Sequence, residues 1–300
     1  MRKWLRRLLL SIAIWRLFGD PIRPRFRPPQ EHPWRLSGRT VFVGDQEFLI
    51  RDTGSGDGVP LLLIHGLGGS SLSEWYQVAP KLATERRVLL VDHRSHGLSA
   101  LASGRYEVED VADDIVGILD RLGLTEVDVV GYSMGGTIAQ AIAGRHPGRV
   151  RKLGLIATFA SFPDARRLPL RLGAVVTRAW ERLTGLGTPE VRSGYLLGTG
   201  AVERRHARWL WEETHRRNPD AAAEATFALA RFDSRQWVKD LDVETLVVIP
   251  GRDRLVPPAW QYELAAMIGG AKVVEIPDAQ HEVVWTHADR ITDELSSFLI

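Results

Sequence analysis

The chain has 300 residues, 44% of them hydrophobic, and no cysteine, which excludes a disulfide framework, a thiolate metal site and a cysteine nucleophile. Formal net charge is +2, but residues 1–27 carry eight Lys or Arg and one Asp, leaving 31 basic against 36 acidic residues in the rest. A mildly acidic body with no basic helix and no aromatic-basic RNA motif has no general pull toward nucleic acid, so nucleic acid is not expected as a partner. The length suits a single α/β domain that carries an insertion.

Met1 to Phe18 has helical periodicity, with Trp4, Leu5, Leu8, Leu9, Ile12 and Trp15 on one face and Arg2, Lys3, Arg6 and Arg7 on much of the other. For this basic amphipathic segment, residues 1–20, three readings stand: a peripheral helix in a membrane interface, a targeting or anchor segment, and a helix packed on the body or on a partner. Its apolar run ends at Arg16, lacks a small-residue cleavage site before Asp20-Pro21, and falls below the roughly 20 apolar residues of a spanning helix. A cytoplasmic or peripherally membrane-associated location is therefore expected over a signal or anchor segment. Residues 21–37, with five prolines between Pro21 and Pro33, read as an extended linker.

Thr40 to Val43 and Glu47 to Asp52 read as short strands joined by Gly44-Asp45, a hairpin signal. Pro60 to His65 and Arg87 to Asp92 are apolar strands, and Ser73 to Thr84 between them fits one helix. Glu107 to Leu122 repeats apolar residues at helical spacing and stops at Gly123. A strand at Glu126 to Val130, a helix at Thr137 to Arg145 and a strand at Arg151 to Ala157 follow. The stretch 158–237, rich in Arg, Trp and Ala, reads as several helices inserted over the strand tips. A strand (Glu244 to Pro250), a helix (Pro258 to Met267), a strand (Ala271 to Pro277) and a helix (Ala288 to Leu299) complete the chain. This alternation predicts a mostly parallel twisted sheet covered by helices on both faces, with residues 38–157 and 238–300 as core and 158–237 as helical cap.

Residues 129–136, Val-Val-Gly-Tyr-Ser-Met-Gly-Gly, place Ser133 in a GxSxG core between a strand and a helix. A serine there must sit on a sharp turn, with Gly131 and Gly135 expected to supply backbone freedom, and its hydroxyl is raised above the sheet. A serine hydroxyl is a poor nucleophile at neutral pH, so it needs a base and an acid that orients the base. His281 follows the last strand, and Asp253 follows the strand before it. The nearest substitutes are Asp278 and Asp242 for the acid and His287, at the start of the last helix, for the base.

Four motifs in order, His65-Gly66-Leu67-Gly68-Gly69, Asp92-His93-Arg94-Ser95-His96-Gly97-Leu98-Ser99, the Ser133 elbow and the Asp253 and His281 loops, make residues 38–300 resemble the α/β-hydrolase fold family. The resemblance implies Ser133 as nucleophile, His281 as general base and acid, Asp253 as the carboxylate orienting His281, and the backbone N–H groups of Leu67 and Met134 as the oxyanion hole. It implies no metal and no organic cofactor, and a small-molecule acyl substrate, a carboxylic ester first, with a lipophilic ester favoured if the N-terminal segment meets a lipid surface. Lactones, thioesters, carbon-carbon bond cleavage, acyl transfer and perhydrolysis use the same triad, and a non-catalytic binding protein on the same fold is the alternative of another class. Serine at the elbow argues against epoxide hydrolases and haloalkane dehalogenases, which place aspartate there. Nothing in the sequence sets an oligomeric state.

Two positions depart from the family pattern. Pro250 stands three residues before the acid, where glycine is more usual, and Ser95 replaces a glycine. His65 is expected to brace the oxyanion loop, and Asp92, His93 and His96 to structure theirs rather than bind metal. His206 and His215 are expected on solvated faces, and Trp180, Trp209 and Trp211 in cap packing.

Overall fold

A computed structural model describes residues 32–102, 105–185 and 187–300. The expected segment at 1–20 and most of the 21–37 linker lie outside the described residues. The last linker residues, 32–37, form no helix or strand, and Trp34 and Leu36 pack against the body.

Eight strands, β1 (Arg39–Val43), β2 (Gln46–Thr53), β3 (Leu61–Ile64), β4 (Val88–Asp92), β5 (Val127–Tyr132), β6 (Val150–Ile156), β7 (Glu244–Pro250) and β8 (Lys272–Ile276), form one sheet in the order β1-β2-β4-β3-β5-β6-β7-β8. The β1/β2 hairpin and the β2/β4 pair are antiparallel, and the remaining pairs are parallel. Every residue of β3, β4 and β5 is buried, which is why these strands read as mostly apolar, with Asp92 and Asp128 the buried charges among them. Leu62 and Ile64 face an apolar layer with Val111 and Ile115 of α3 (Val108–Arg121) and Ile138 of α4 (Met134–Arg145). Leu61 and Leu63 face the opposite layer with Trp75, Leu82, Ile291 and Leu295.

The helix expected over Ser73 to Thr84 is instead two short ones, α1 (Ser71–Trp75) and α2 (Ala79–Leu82). Pro80 explains the break: it has no N–H for an i−4 bond, and it sits in the first turn of α2, where that loss is tolerated. Between β6 and β7 lie α5 (Asp164–Thr184), α6 (Thr188–Gly198), α7 (Ala207–His215) and α8 (Pro219–Arg231). The two ends of this helical stretch are stitched by a β-bridge between Ser161 and Asp233 and by Ser234 N–H donating to Ala160 O at 2.9 Å. The chain ends with α9 (Pro258–Met267), α10 (Val283–Thr286) and α11 (Ala288–Phe298). Among the described residues, no helix is long and apolar enough to cross a membrane.

The loop after β4 is organised by Asp92, whose carboxylate accepts from Ser71 N–H at 2.8 Å, Ser71 Oγ at 2.6 Å, Leu98 N–H at 3.0 Å and Arg51 at 3.3 Å. Burial raises the Asp92 pKa, but Arg51 and these donors outweigh it and hold the group below the usual carboxylate range. Ser95 takes up the left-handed conformation of the glycine it replaces, at φ 63°, and its Oγ accepts from Ala102 N–H at 2.9 Å. His93 stacks on His65 with ring centroids 3.9 Å apart, and His96 packs edge-on against His93 at 4.2 Å. The contacts of Asp92, His93 and His96 are therefore loop contacts.

Burial lowers the pKa of all three histidines, reinforced for His93 and His96 by the His65 ring, and that of His96 falls from 6.5 to about 3. Below pH 6.5 the unfolded chain binds protons that the folded chain refuses. The His96 contribution to stability is thus complete above pH 6.5 and is lost as pH falls toward about 3, and His65 and His93 act in the same direction. Urea unfolding at pH 7 and pH 5 is expected to show this loss, and His96→Gln to shrink the difference between the two pH values. An undiminished difference in the variant excludes His96 as a contributor.

Candidate active site

Parallel strands deliver their carboxyl ends to one edge of the sheet, and His65, Ser133, Asp253 and His281 all follow such ends. Ser133 lies between β5 and α4 with φ 54° and ψ −119°. Its N–H donates to Ile156 O at 2.9 Å, and its carbonyl accepts from Gly136 N–H at 2.9 Å. The positive φ belongs to the serine itself, and neither Gly131 nor Gly135 has one, contrary to the expected division of labour. The glycines supply space instead. A Cβ on Gly131 would stand 2.1 Å from Gly135 O, and one on Gly135 would stand 2.2 Å from Ile64 O. Only bare backbone lets α4 fold back so closely on β5 and β3.

His281 Nε2 lies 3.0 Å from Ser133 Oγ, and its Nδ1 lies 2.7 Å from Asp253 Oδ2. The ionised carboxylate only accepts, so Nδ1 carries the proton and Nε2 is free to accept from the serine hydroxyl. Asp253 Oδ1 accepts from Leu255 N–H and Val256 N–H, both at 2.9 Å, and Gln261 Nε2 donates to Oδ2 at 3.2 Å. A buried carboxylate with this many donors is fixed in place, which is what an orienting group requires. Pro250 does not disturb the turn: Gly251 N–H donates to Ile276 O at 2.9 Å and Arg252 N–H to Ala279 O at 2.8 Å. The structure thus brings Ser133, His281 and Asp253 together and leaves their substitutes apart. His287 faces Asp278 at 3.4 Å near the surface, and neither bonds to Ser133.

Gly66 lies against the serine, since a Cβ there would stand 3.1 Å from Ser133 Cβ. The segment carrying Leu67 therefore passes beside Ser133. Met134 is the first residue of α4, where backbone N–H groups have no partner inside the helix. His65 Nδ1 lies 2.9 Å from Gly66 O. A carbonyl only accepts, so Nδ1 donates, and this bond orients the Gly66–Leu67 peptide plane whose N–H belongs to Leu67. His65 thereby braces the loop as expected.

Three residues of the site have no motif to announce them, and a fourth, Tyr132, stands inside the elbow motif with no role assigned by it. Gln261 bonds to Asp253, and Tyr132 OH donates to His281 O at 2.9 Å. Glu74 is buried, accepting from Gly66 N–H at 2.5 Å and from Arg192 at 2.5 Å. An acid within the small and apolar run Gly68 to Trp75 is the one signal that could have drawn attention to Glu74; Arg192 is one of many arginines in its stretch.

Close by, a cavity of about 540 Å³ is lined by Leu67, Leu170, Ala223 and Leu255 among other apolar residues, with Arg192 and Arg217 at its wall. The charge of Arg217 is met by Glu181 at 2.8 Å. Elsewhere in the helical stretch, His206 is not on a solvated face: it is buried and packs edge-on to Tyr76 at 6.4 Å. The aromatic environment of Tyr76 and Trp209, 4.9 Å apart, takes it in, and no local pattern revealed that partner. His215 is exposed, as expected, stacked on Trp211 and facing Glu190 at 2.9 Å. Trp209 is buried as expected, whereas Trp180 is 44% exposed, against the expectation of packing, because α5 buries only Glu181 and Thr184.

Residues 59–192 match the family described as alpha/beta hydrolase fold. A 2-hydroxymuconate semialdehyde hydrolase from Pseudomonas sp. strain CF600 is 30% identical over 287 residues, covering 90% of this chain and 96% of that protein. A pimeloyl-[acyl-carrier protein] methyl ester esterase from Neisseria meningitidis serogroup C is 30% identical over 238 residues, covering 76% and 88%. The chain spans 65% of the length of a dihydrolipoyllysine-residue acetyltransferase component from Pseudomonas putida, to which it is 29% identical, with 83% of this chain covered. Among solved structures, the enol-lactonase from Burkholderia xenovorans LB400 superposes with a TM-score of 0.75 at 26% identity, covering 87% of this chain and 98% of that one. With the strand order and the Ser133 elbow already in view, these likenesses make the chain a member of the α/β-hydrolase fold family and a hydrolase of that family.

Proposed function

We propose that the protein hydrolyses a carboxylic ester through an acyl-enzyme on Ser133. The observation that carries this reading is the relay from Ser133 Oγ to His281 at 3.0 Å and from His281 to Asp253 at 2.7 Å. His281 Nε2 takes the hydroxyl proton as Oγ attacks the ester carbonyl, and the imidazolium that forms is stabilised by Asp253. The tetrahedral oxyanion is held by the Leu67 and Met134 amides. His281 then protonates the departing alcohol, and the acyl group stays on Ser133. In the second half, His281 deprotonates water, which attacks the acyl-enzyme and releases the acid. The ester reading is favoured by the relatives named for a methyl ester esterase and an enol-lactonase, both cleaving ester bonds, and the C–C hydrolase among the relatives uses chemistry open to the same triad.

In this reading the helical stretch 158–237 is a cap, and the apolar cavity beside Leu67 and Leu255 receives the bulk of the substrate. No charge in its wall is left without a partner of opposite sign to attract an ionic group, since Arg192 is paired with Glu74 and Arg217 with Glu181. The substrate is therefore an uncharged, lipophilic ester.

Ser133→Ala is expected to abolish covalent labelling by a fluorophosphonate probe and to lower kcat by about 10⁴-fold or more; labelling at undiminished strength rules out Ser133 as nucleophile. Asp253→Asn, which offers the wrong hydrogen-bonding pattern to Nδ1–H, is expected to cost roughly 10³- to 10⁴-fold in kcat. Across p-nitrophenyl acetate, butyrate and hexanoate, kcat/KM is expected to rise by up to roughly fourfold per methylene, the equivalent of about 0.8 kcal/mol per buried CH₂. A flat or falling series places the acyl chain outside the cavity.

A further inference from the structure

We propose that Arg192, acting through Glu74, is a positioning residue that holds the oxyanion loop in register with the nucleophile and makes that register depend on the seating of α6. The inference rests on the reading of the Leu67 amide as an oxyanion donor. Its physical basis is a buried carboxylate encircled by that loop. Glu74 lies in α1, directly after the His65–Gly69 segment, and is 1% exposed. One of its oxygens accepts from Gly66 N–H at 2.5 Å, and the other accepts from Arg192 Nη2 at 2.5 Å. The loop closes tightly around it: a Cβ on Gly69 would stand 2.2 Å from Glu74 Oε1, so glycine is needed there for the carboxylate to occupy its place.

Arg192 reaches in from α6 and makes a second contact with the same loop, donating from Nη1 to Leu67 O at 3.2 Å. The Gly66–Leu67 peptide is thus gripped at both flanks. Glu74 holds the N–H before it, Arg192 holds the carbonyl after it, and His65 holds its own carbonyl. The guanidinium also lies over the Trp285 ring at 5.3 Å, and Trp285 Nε1 donates to Ser73 O at 2.8 Å, which joins α10 to α1. Loss of Arg192 leaves a buried carboxylate without its counter-charge. Glu74 must then turn toward water or draw water inward, and either course loosens its bond to Gly66. A displaced donor stabilises the oxyanion less but leaves substrate contacts intact, so the effect falls on the transition state.

The test uses full-length protein with Arg192→Gln, Arg192→Lys and Glu74→Gln, each checked by thermal melting. Arg192 is the safer substitution because it stands at the cavity wall. With p-nitrophenyl butyrate, Arg192→Gln is expected to lower kcat roughly 10- to 100-fold, as misplacement of a reacting geometry by about 1 Å does, with KM within about twofold. Arg192→Lys, which keeps the charge, is expected to recover part of that loss. Hydrogen exchange of the Gly66–Gly69 amides is expected to quicken about tenfold in Arg192→Gln, a readout that needs no turnover. A raised KM at unchanged kcat would make Arg192 a substrate-binding residue and overturn the proposal. So would unchanged loop exchange. If the wild-type protein neither turns over esters nor labels at Ser133, the ester reading itself has failed, and the exchange measurement still decides whether Arg192 holds the loop.

Discussion

The site depends on a backbone conformation that an L-residue adopts only under constraint. Ser133, at φ 54° and ψ −119°, lies outside the ordinary regions, at a cost on the order of 1–3 kcal/mol. Local hydrogen bonds to Ile156 O and from Gly136 N–H hold it, as does the packing of α4 against β5 and β3. Because Ile64 of β3 pairs with Gly131 of β5, the loop leaving β3 necessarily emerges beside the elbow. The sharp turn also starts α4 at Met134, so a backbone N–H without an intrahelical partner immediately follows Ser133. One strained residue therefore sets the hydroxyl, the Met134 amide beside it and the neighbouring strand whose loop carries Leu67.

Around that turn, buried charge is handled by pairing. Asp253 is satisfied by His281, two backbone amides and Gln261, so the histidine meets an acid that cannot rotate away. Asp92 is satisfied by Arg51, by Ser71 of α1 and by the Leu98 amide of its own loop, and Asp128, at the far end of β5, is bracketed by Arg86 and Arg151. The stacked histidines near Asp92 serve a different purpose from His281. Their low pKa values keep them neutral and let them pack as rings, whereas His281 has one nitrogen on the buried Asp253 and the other on Ser133 Oγ.

Ser133, Asp253 and His281 were legible in the sequence because strand-end chemistry is local. Ser133 and Asp253 follow buried apolar runs and His281 follows the edge strand β8, whose β-branched residues mark it though most of it is exposed, and the parallel sheet then gathers the run ends along one edge. The β7 strand and α9 helix matched their expected bounds for the same reason. Pro80 was equally visible, yet its effect depends on which turn it occupies, and periodicity alone spread one helix across it. The roles of Gly131 and Gly135 were misjudged because a positive φ and a close backbone approach both call for glycine, and only the fold tells them apart. Glu74 with Arg192, and His206 with Tyr76, depend on contacts between residues more than a hundred positions apart. No periodicity encodes such a pair.

The helical stretch shows why family membership determines the chemistry more firmly than the substrate. Helices α6, α7 and α8 place residues such as Leu196, Leu210 and Leu229 in the two apolar layers of the sheet, so they are bound to the core. Helix α5 buries only Glu181 and Thr184, and much of its attachment is ionic, through Arg178 and Arg182 to Asp220 and through Glu181 to Arg217. Yet α5 supplies Pro169, Leu170, Gly173, Ala174 and Thr177 to the cavity wall. Its small residues leave the room that the cavity occupies, and its weak burial means that changes there cost the core little. The cavity wall is thus written on the least constrained helix, while the hydrogen-bonded chain Ser133–His281–Asp253 is written on strand ends that cannot move without disturbing the sheet. A fold shared at 26% identity with an enol-lactonase is compatible with a different acyl preference on those grounds alone.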